Sequence, residues 1–288
     1  MNKFFTLLFA TLATCLSVKA QETMEQDLFE SMREDDKAAI ITVHKDTESG
    51  IGRQGIDLLN LRLREIYPNY DFREACTTKG AMGQTPDPDE LLNQLHKDGY
   101  THILIQPSNF TNDLDVQYLR HIAESAKGKF KHLRMGEPLL SEGPDYQMVA
   151  DIAIHTFSVM PKGVNVLVCS GNGEDDPSYM MLDYTLHDKS DGKWLLAATN
   201  GVPSLSHLIK VLKMQKVKKV QLVPFCPEVT NMMRNEWVKR LQQAGYKVTV
   251  ESRCLSEQKG ITDLFEQHVR HAEKFRRLNA KEQKIITR

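Results

Sequence analysis

Two periodicities alternate along this sequence from residue 38 to residue 277, and the alternation limits the folds open to it. Short apolar runs bounded by charge or turn residues read as buried strands: Ala38–His44, Tyr70–Cys76, Thr101–Gln106, Phe130–Arg134, Val164–Cys169, Trp194–Thr199, Val220–Phe225 and Tyr246–Ser252. Between and after them, apolar residues at three- and four-residue steps read as helices: Gly55–Tyr67, Asp87–Lys97, Leu114–Ala126, Asp145–Phe157, Tyr179–His187, Leu205–Met214, Met232–Ala244 and Ile261–Arg277. In the first helix Ile56, Leu59, Leu63 and Ile66 form the stripe. Strands joined through helices run parallel, with right-handed crossovers and helices on both faces. The expected fold is α/β: two flavodoxin-like parallel-sheet halves, 38–160 and 161–278, whose strand C-termini face a shared cleft. Open parallel sheets bind ligands at that end. The halves also echo each other, Ile105-Gln106-Pro107 in the first against Leu222-Val223-Pro224-Phe225 in the second. Proline after a strand is a stop signal, so the echo speaks to architecture only.

The ends read differently. Lys3, the apolar run Phe4–Leu16 and the small-residue site Val18-Lys19-Ala20 have the form of a secretory signal over 1–20, with Gln21 as the mature start. The expectation is an exported, periplasmic protein. Leu12-Ala13-Thr14-Cys15 is a weaker match to a lipoprotein box, since Thr14 is a poor residue before the cysteine. A polar segment, 21–37, leads into the first strand, and a basic tail, 279–288, follows the last helix. Lys and Arg number 37 against 38 Asp and Glu, so there is no basic excess of the kind nucleic-acid binding needs. The basic stretch Lys210–Lys219 alternates with apolar residues and reads as the wet end of a helix and the start of a strand. Cys76, Cys169, Cys226 and Cys254 are spaced too irregularly for a zinc pattern or a small disulfide scaffold, so ordinary hydrophobic burial must supply the core.

Several segments, in order and at their spacing, resemble a known family: Ala75-Cys76-Thr77-Thr78-Lys79, Asp98-Gly99-Tyr100 with Gln106-Pro107, and Gly136-Glu137-Pro138-Leu139-Leu140. The second half adds Leu182-Asp183-Tyr184, Gly201-Val202-Pro203-Ser204-Leu205, Pro224-Phe225 and Ile261-Thr262-Asp263-Leu264-Phe265. The sequence is similar to the class II anaerobic cobaltochelatases, which insert cobalt into sirohydrochlorin, over Ala38 to Ala272. The resemblance implies a slot between two halves that admits a flat tetrapyrrole. It also implies a metal held over the ring by His and a carboxylate while pyrrole protons leave. The family is expected to supply one His from a Gly-His-Gly turn, one after the Pro-Phe strand, and a Glu from the helix after the third strand.

This sequence departs from that pattern at each place. Asn172 stands in the turn Gly171-Asn172-Gly173, Met233 at the second His position, and Gln117 at the Glu position. Asn109 replaces a further frequent His. Amides bind ions weakly and take up no proton near neutral pH. Other residues then become candidates. His44 ends the first strand and is a candidate haem or metal ligand, with Met233 as a thioether ligand to haem iron. Cys169 and Cys226 end the first and third strands of the second half, neighbours in a flavodoxin-like order. They read as buried thiols, as a disulfide, or as soft ligands for iron or copper. His268 and His271, near Glu266, read as a solvated helix face. The turn Ser170, Gly171, Asn172, Gly173, Glu174 opens a helix whose N–H groups can cradle an anionic side group of a ring, as can the helix starts near Thr47 and Asn109.

The function expected is that of an exported cobaltochelatase-family protein that binds a tetrapyrrole between its halves, with metal insertion weakened. The alternative is a non-catalytic haem or tetrapyrrole carrier in a haem or iron uptake system, and a third reading is a periplasmic binding protein for another small ligand. Expected partners are the tetrapyrrole, cobalt or iron, haem, an outer-membrane uptake system and further copies of the chain.

Overall fold

The computed structural model describes residues 27–45, 53–77, 85–171 and 177–274. The expected signal segment, Cys15, Thr47, Thr78, Lys79 and the tail 279–288 lie outside them. Strands and helices alternate as the sequence predicts: β1 (Ala38–His44), α1 (Arg53–Ile66), β2 (Asp71–Cys76), α2 (Pro88–Lys97), β3 (His102–Pro107), α3 (Leu114–Ala126), β4 (His132–Met135) and α4 (Gly143–Thr156). The second half repeats this with β5 (Gly163–Cys169), α5 (Pro177–Lys189), β6 (Trp194–Ala198), α6 (Leu205–Met214), β7 (Lys219–Pro224), α7, β8 (Lys247–Val250) and α8 (Lys259–Lys274). The helix α7 is built of an α turn Thr230–Met232, a π turn Met233–Trp237 and an α stretch Val238–Gln243.

The strands form two four-stranded sheets in the orders β2-β1-β3-β4 and β6-β5-β7-β8, with every pairing parallel. This is the expected pair of flavodoxin-like halves. Side chains alternate between sheet faces, and the cores follow that alternation. Ile40 and Leu104 of the first sheet, with Leu167, Cys169 and Val223 of the second, enter one central core. Ile41, Val43 and Ile105 face an outer core under α2 and α3. Val166, Val168 and Leu222 face another under α6 and α7. The central core is shared by α1, α4, α5 and α8, so the layers run helix, sheet, helix, sheet, helix.

The last helix of each half crosses to the other. α4 packs along α5, and Phe157 at its end lies beside Trp194 of β6. α8 returns to cover the first sheet, against α1, β3 and β4. A boundary near residue 160 therefore divides the sequence more cleanly than it divides the packing. The return of α8 also corrects one expectation. The sequence predicts a solvated face for its polar residues, but Glu266 is 0% and His268 5% exposed. Glu266 accepts from Arg62 Nε at 2.7 Å and from Arg270 Nε at 2.9 Å. A helix face can carry charge and still be buried when arginines reach it from both sides.

His268 faces two acceptors, the Glu137 carbonyl at 3.0 Å and Asp145 Oδ1 at 3.2 Å. Only the imidazolium can donate to both. Burial pulls the His268 pKa down, but the bond to Asp145, its charge and the Glu137 carbonyl outweigh burial and raise it. Asp145 is pushed up by burial, yet the His268 bond and charge, with the Glu142 and Ser141 N–H groups, hold it below the usual carboxylate range. The same Asp145 caps the start of α4 by accepting from Glu142 N at 2.7 Å.

Candidate functional site

A cleft of about 200 Å³ opens between the halves at the C-terminal ends of the strands. Its rim comes from the segment after each of four strands: Lys45 after β1, Ser108 to Thr111 and Asp113 after β3, Ser170 and Gly171 after β5, and Cys226 to Glu228 after β7. The walls are Gly55, Ile56 and Leu59 of α1, Tyr179 of α5, Ser256, and Ile261, Thr262 and Phe265 of α8. Both halves contribute, and α8 contributes only because it crosses over.

The loop after β3 is held from below. Ser108 N donates to the Val43 carbonyl at 2.8 Å. The main-chain carbonyls of Asn109 and Phe110 accept from Leu139 N at 3.0 Å and Leu140 N at 2.8 Å. That bracing segment turns at Gly136, where an added Cβ would stand 2.0 Å from the Gln106 amide oxygen. Gln106 in turn donates to the Glu137 carbonyl at 2.9 Å. Asn109 Nδ2 donates to both oxygens of Asp113, at 3.1 and 3.0 Å, and Asp113 caps α3 by accepting from Val116 N at 3.0 Å. Phe110 then meets Phe225 of the second half edge-on, ring centroids 4.4 Å apart. This contact joins the two halves beside the cleft.

The opposite lip is equally constrained. At Gly171 a Cβ would lie 1.5 Å from the Asn200 carbonyl oxygen, so the backbones pass too closely for any side chain. Tyr179 fixes the preceding residue by donating to the Ser170 carbonyl at 2.9 Å. Ionisable groups are sparse: Lys45, paired with Asp115 at 3.1 Å, Asp113, Glu228 and the Cys226 thiol. Burial pushes that thiol up, and Glu228 adds to the shift by its charge and a hydrogen bond. Apolar walls with a few convergent polar groups suit a flat, mainly apolar ligand.

Asn109, Ser170 and Gly171 therefore come together at the cleft, and Cys226 joins them. Asn172, Gly173 and Glu174 lie outside the described residues. Other candidates sit elsewhere. Met233 is 0% exposed in the outer core of the second sheet with Trp237 and Leu241, on the face turned away from the central core, so the thioether expected at a ring is enclosed in hydrocarbon. Gln117 is exposed on α3 and donates to the Asn112 carbonyl at 3.3 Å. His44 is 4% exposed, its Nε2 is 3.6 Å from Glu74, and it does not line the cleft.

The four described cysteines are buried thiols. Cys169 and Cys226 follow neighbouring strands, as expected, but Val168 pairs with Pro224, so the two cysteines are offset by one residue. One residue of offset changes the sheet face, and Cys169 enters the central core while Cys226 enters the outer one. Among the described residues no group of three His, Cys, Asp or Glu is placed to hold a metal ion.

The model of the cobalt chelatase family CbiK matches residues 38–274. The chain belongs to the CbiK cobalt chelatase family. The family chemistry is insertion of a metal into a tetrapyrrole, and the chelatase-like function of this member follows at that level. Solved chelatases share its architecture. SirB from Bacillus subtilis with Fe3+ superposes with a TM-score of 0.59 at 15% identity, over 82% of this chain and 96% of that one. CbiX, the terminal enzyme for siroheme biosynthesis in denitrifying bacteria, gives 0.51 at 14% identity, over 82% and 99%. DR2241 from Deinococcus radiodurans, a multi-domain protein similar to chelatases, gives 0.55 at 13%, and the match covers 84% of this chain and 56% of that one. No curated protein sequence matches the chain. At these identities the likeness of structures speaks to the fold of this CbiK-family member.

Sequence reasoning missed the apolar walls: Phe110, Tyr179, Ile261 and Phe265. Phe110 was within reach, since it follows a strand end, where open parallel sheets place their sites. Nothing local to Ile261 or Phe265 announces that their helix crosses to the first half.

Proposed function

We infer that this protein binds a tetrapyrrole in the cleft between its halves and handles metal there only weakly, as an exported member of its family. The observation that carries the reading is the cleft, which lies at the C-terminal ends of both sheets, has Ile56, Leu59, Phe110, Ile261 and Phe265 for walls, and carries few charges. Burial of the ring faces would supply most of the affinity, at about 25 cal/mol per Å². Asn109 and Ser170 would orient polar side groups. The residues standing at the family's metal and base positions argue against fast cobalt insertion into sirohydrochlorin. Asn172 and Gln117 are amides, which take up no proton near neutral pH, and Met233 and Gln117 lie away from the cleft. Those same residues favour, as the second reading, a haem or tetrapyrrole carrier serving an iron uptake system.

The test is a titration of the mature protein with sirohydrochlorin and with haemin, read by visible absorbance, followed by addition of cobalt. Binding of at least one ring should be micromolar or tighter, about 8 kcal/mol, with cobalt insertion barely above the spontaneous rate. No binding of either ring at tens of micromolar would remove the reading. Insertion at ordinary enzymatic turnover would remove its second clause. For export, mass spectrometry of the native protein should find a mature start at Gln21; an intact Met1 on cytoplasmic protein would contradict it.

A further inference from the structure

The far end of the second sheet differs from the far end of the first. Where β5, β6 and β7 begin, an open groove of about 680 Å³ is lined by Lys162, Lys193, Lys216, Lys218 and Lys219, with His187 and one acid, Asp191. Among the described residues none of these five ammonium groups has a carboxylate partner; Lys219 reaches only the Pro161 carbonyl, at 3.4 Å. At the same end of the first sheet, two lysines reach a carboxylate. Lys131 pairs with Asp36 at 2.6 Å, Lys127 with Glu124 at 2.6 Å, and Lys129 donates to Asn93 at 2.6 Å. Lys37 donates to the Asp98 carbonyl at 3.2 Å. With a net charge of −1 over the whole chain, the groove is not a by-product of general basicity.

The backbone singles out the same place. Among the described residues, those other than glycine with left-handed φ are Lys162 (57°), Asp191 (50°) and Lys216 (56°). All three line the groove. Such conformations cost free energy and gather where function constrains geometry.

We propose that this groove binds an anion carrying several phosphate groups, held by Lys162, Lys193, Lys216 and Lys218. Lysine binds phosphate as a point charge, and several unpaired ammonium groups around one open groove favour several phosphates over a single enclosed anion. Apart from His187 no aromatic ring lines it, so stacking on a base adds little. The phosphates can come from a soluble polyphosphate or from phospholipid headgroups at a surface. The groove opens at the start of β5, near Gly163, and the cleft lies beyond its end, at Ser170. The proposal thus stands or falls apart from ring binding.

The test uses the mature protein at low ionic strength, with sodium tripolyphosphate by calorimetry, and with phosphatidylcholine vesicles carrying or lacking phosphatidylglycerol by sedimentation. At least one anionic probe should bind saturably and weaken as salt is added. Lys193→Glu/Lys216→Glu/Lys218→Glu should lose about 100-fold in affinity for the probe that binds. The Lys→Arg triple should retain binding, and the Lys→Ala triple replaces the Glu version if circular dichroism finds the latter unfolded. Tripolyphosphate binding assigns a soluble source, and binding confined to anionic vesicles assigns a lipid source; either supports the site. Binding of neither probe would overturn it. So would an equal loss in Lys97→Glu/Lys239→Glu, exposed lysines outside the groove.

Discussion

α8 and α4 are both crossing helices at the central core, but they are held by different chemistry. α8 places Ile261, Leu264, Phe265 and Val269 in that core but adds buried charge against the first half: Glu266 on Arg62, with Arg270 of the same helix on its other oxygen, His268 on Asp145, and Tyr67 donating to Glu273 at 2.7 Å. Arg134 also donates to the carbonyls of Ala272 and Glu273 at its end. α4 meets the second half mainly through hydrocarbon, with Val149, Ala150, Ala153 and Phe157 in the central core and Trp194 beside the last of them, and the Asp151–Lys189 ion pair at 2.6 Å lies at the part-exposed edge. Apolar contact is tolerant of sliding and indifferent to pH. Buried ion pairs contribute little net stability but are unforgiving of misplacement. The first half should therefore be the half whose geometry responds to pH, and the second the half that simply needs its volume filled.

The largest effect should come from Phe157→Ala. Phe157 is fully buried beside Trp194, with the Arg253 guanidinium 5.0 Å from its ring centre. Urea unfolding should show a loss of about 4 kcal/mol, as for large aromatic truncations, with the same loss at every pH where the protein folds. A pH-dependent loss would break the contrast between the halves.

Next, Glu266→Ala should cost about 3 kcal/mol, the low end for breaking a buried pair, because Arg62 and Arg270 are partly exposed and recover some hydration. Replacing all three by apolar residues of similar volume should recover most of that loss in the same assay. A triple variant as unstable as the single one would mean that the charged network stabilises α8 beyond what packing of equal volume can replace.

The third effect is the pH response itself. His268 has a raised pKa, so its contribution is complete below about 6.5 and fades as pH climbs through the raised value. Asp145 has a lowered pKa, so its contribution is complete above about 3.8 and fades as pH falls through the lowered value. The stability difference between the wild type and Asp145→Asn/His268→Gln should peak between these limits at about 2 kcal/mol, the scale of a charged hydrogen bond. Urea midpoints across the acid and neutral range would show the peak, and a flat difference would remove the pair as the source.

The smallest effects are at two helix caps. Asp113 caps α3 and Ser204 caps α6, accepting from Val116 N and His207 N. Each alanine variant should lose about 1 kcal/mol. Only Asp113→Ala should also weaken ring binding, because Asp113 anchors Asn109 in the cleft.

Much of this architecture is legible in the sequence. The strands and helices are found within a few residues of where periodicity puts them, and the parallel order follows from the connections. The cleft follows from strand ends. What the sequence hides is partnership at a distance. Glu266 and His268 have the pattern of a wet helix face, and only the positions of Arg62 and Asp145 reveal burial. Met233 has helical spacing in either case, and spacing does not say which face of a sheet the helix covers. Cys169 and Cys226 sit at neighbouring strand ends, yet a single residue of register separates them across the sheet.

The crossing of α8 has a consequence for the order of events during synthesis. β4 ends at Met135, but the helix that completes the cover of its sheet's inner face, beside α1, begins at Lys259. While the chain emerges, the first sheet has its outer helices at hand and only α1 on its inner face, through Leu59 and Leu63. Domains that fold as they are made normally close over their own early segments. Here the first half waits for the last one, so the two halves must finish together, and a chain stopped before α8 leaves an apolar face open to chaperones or to aggregation.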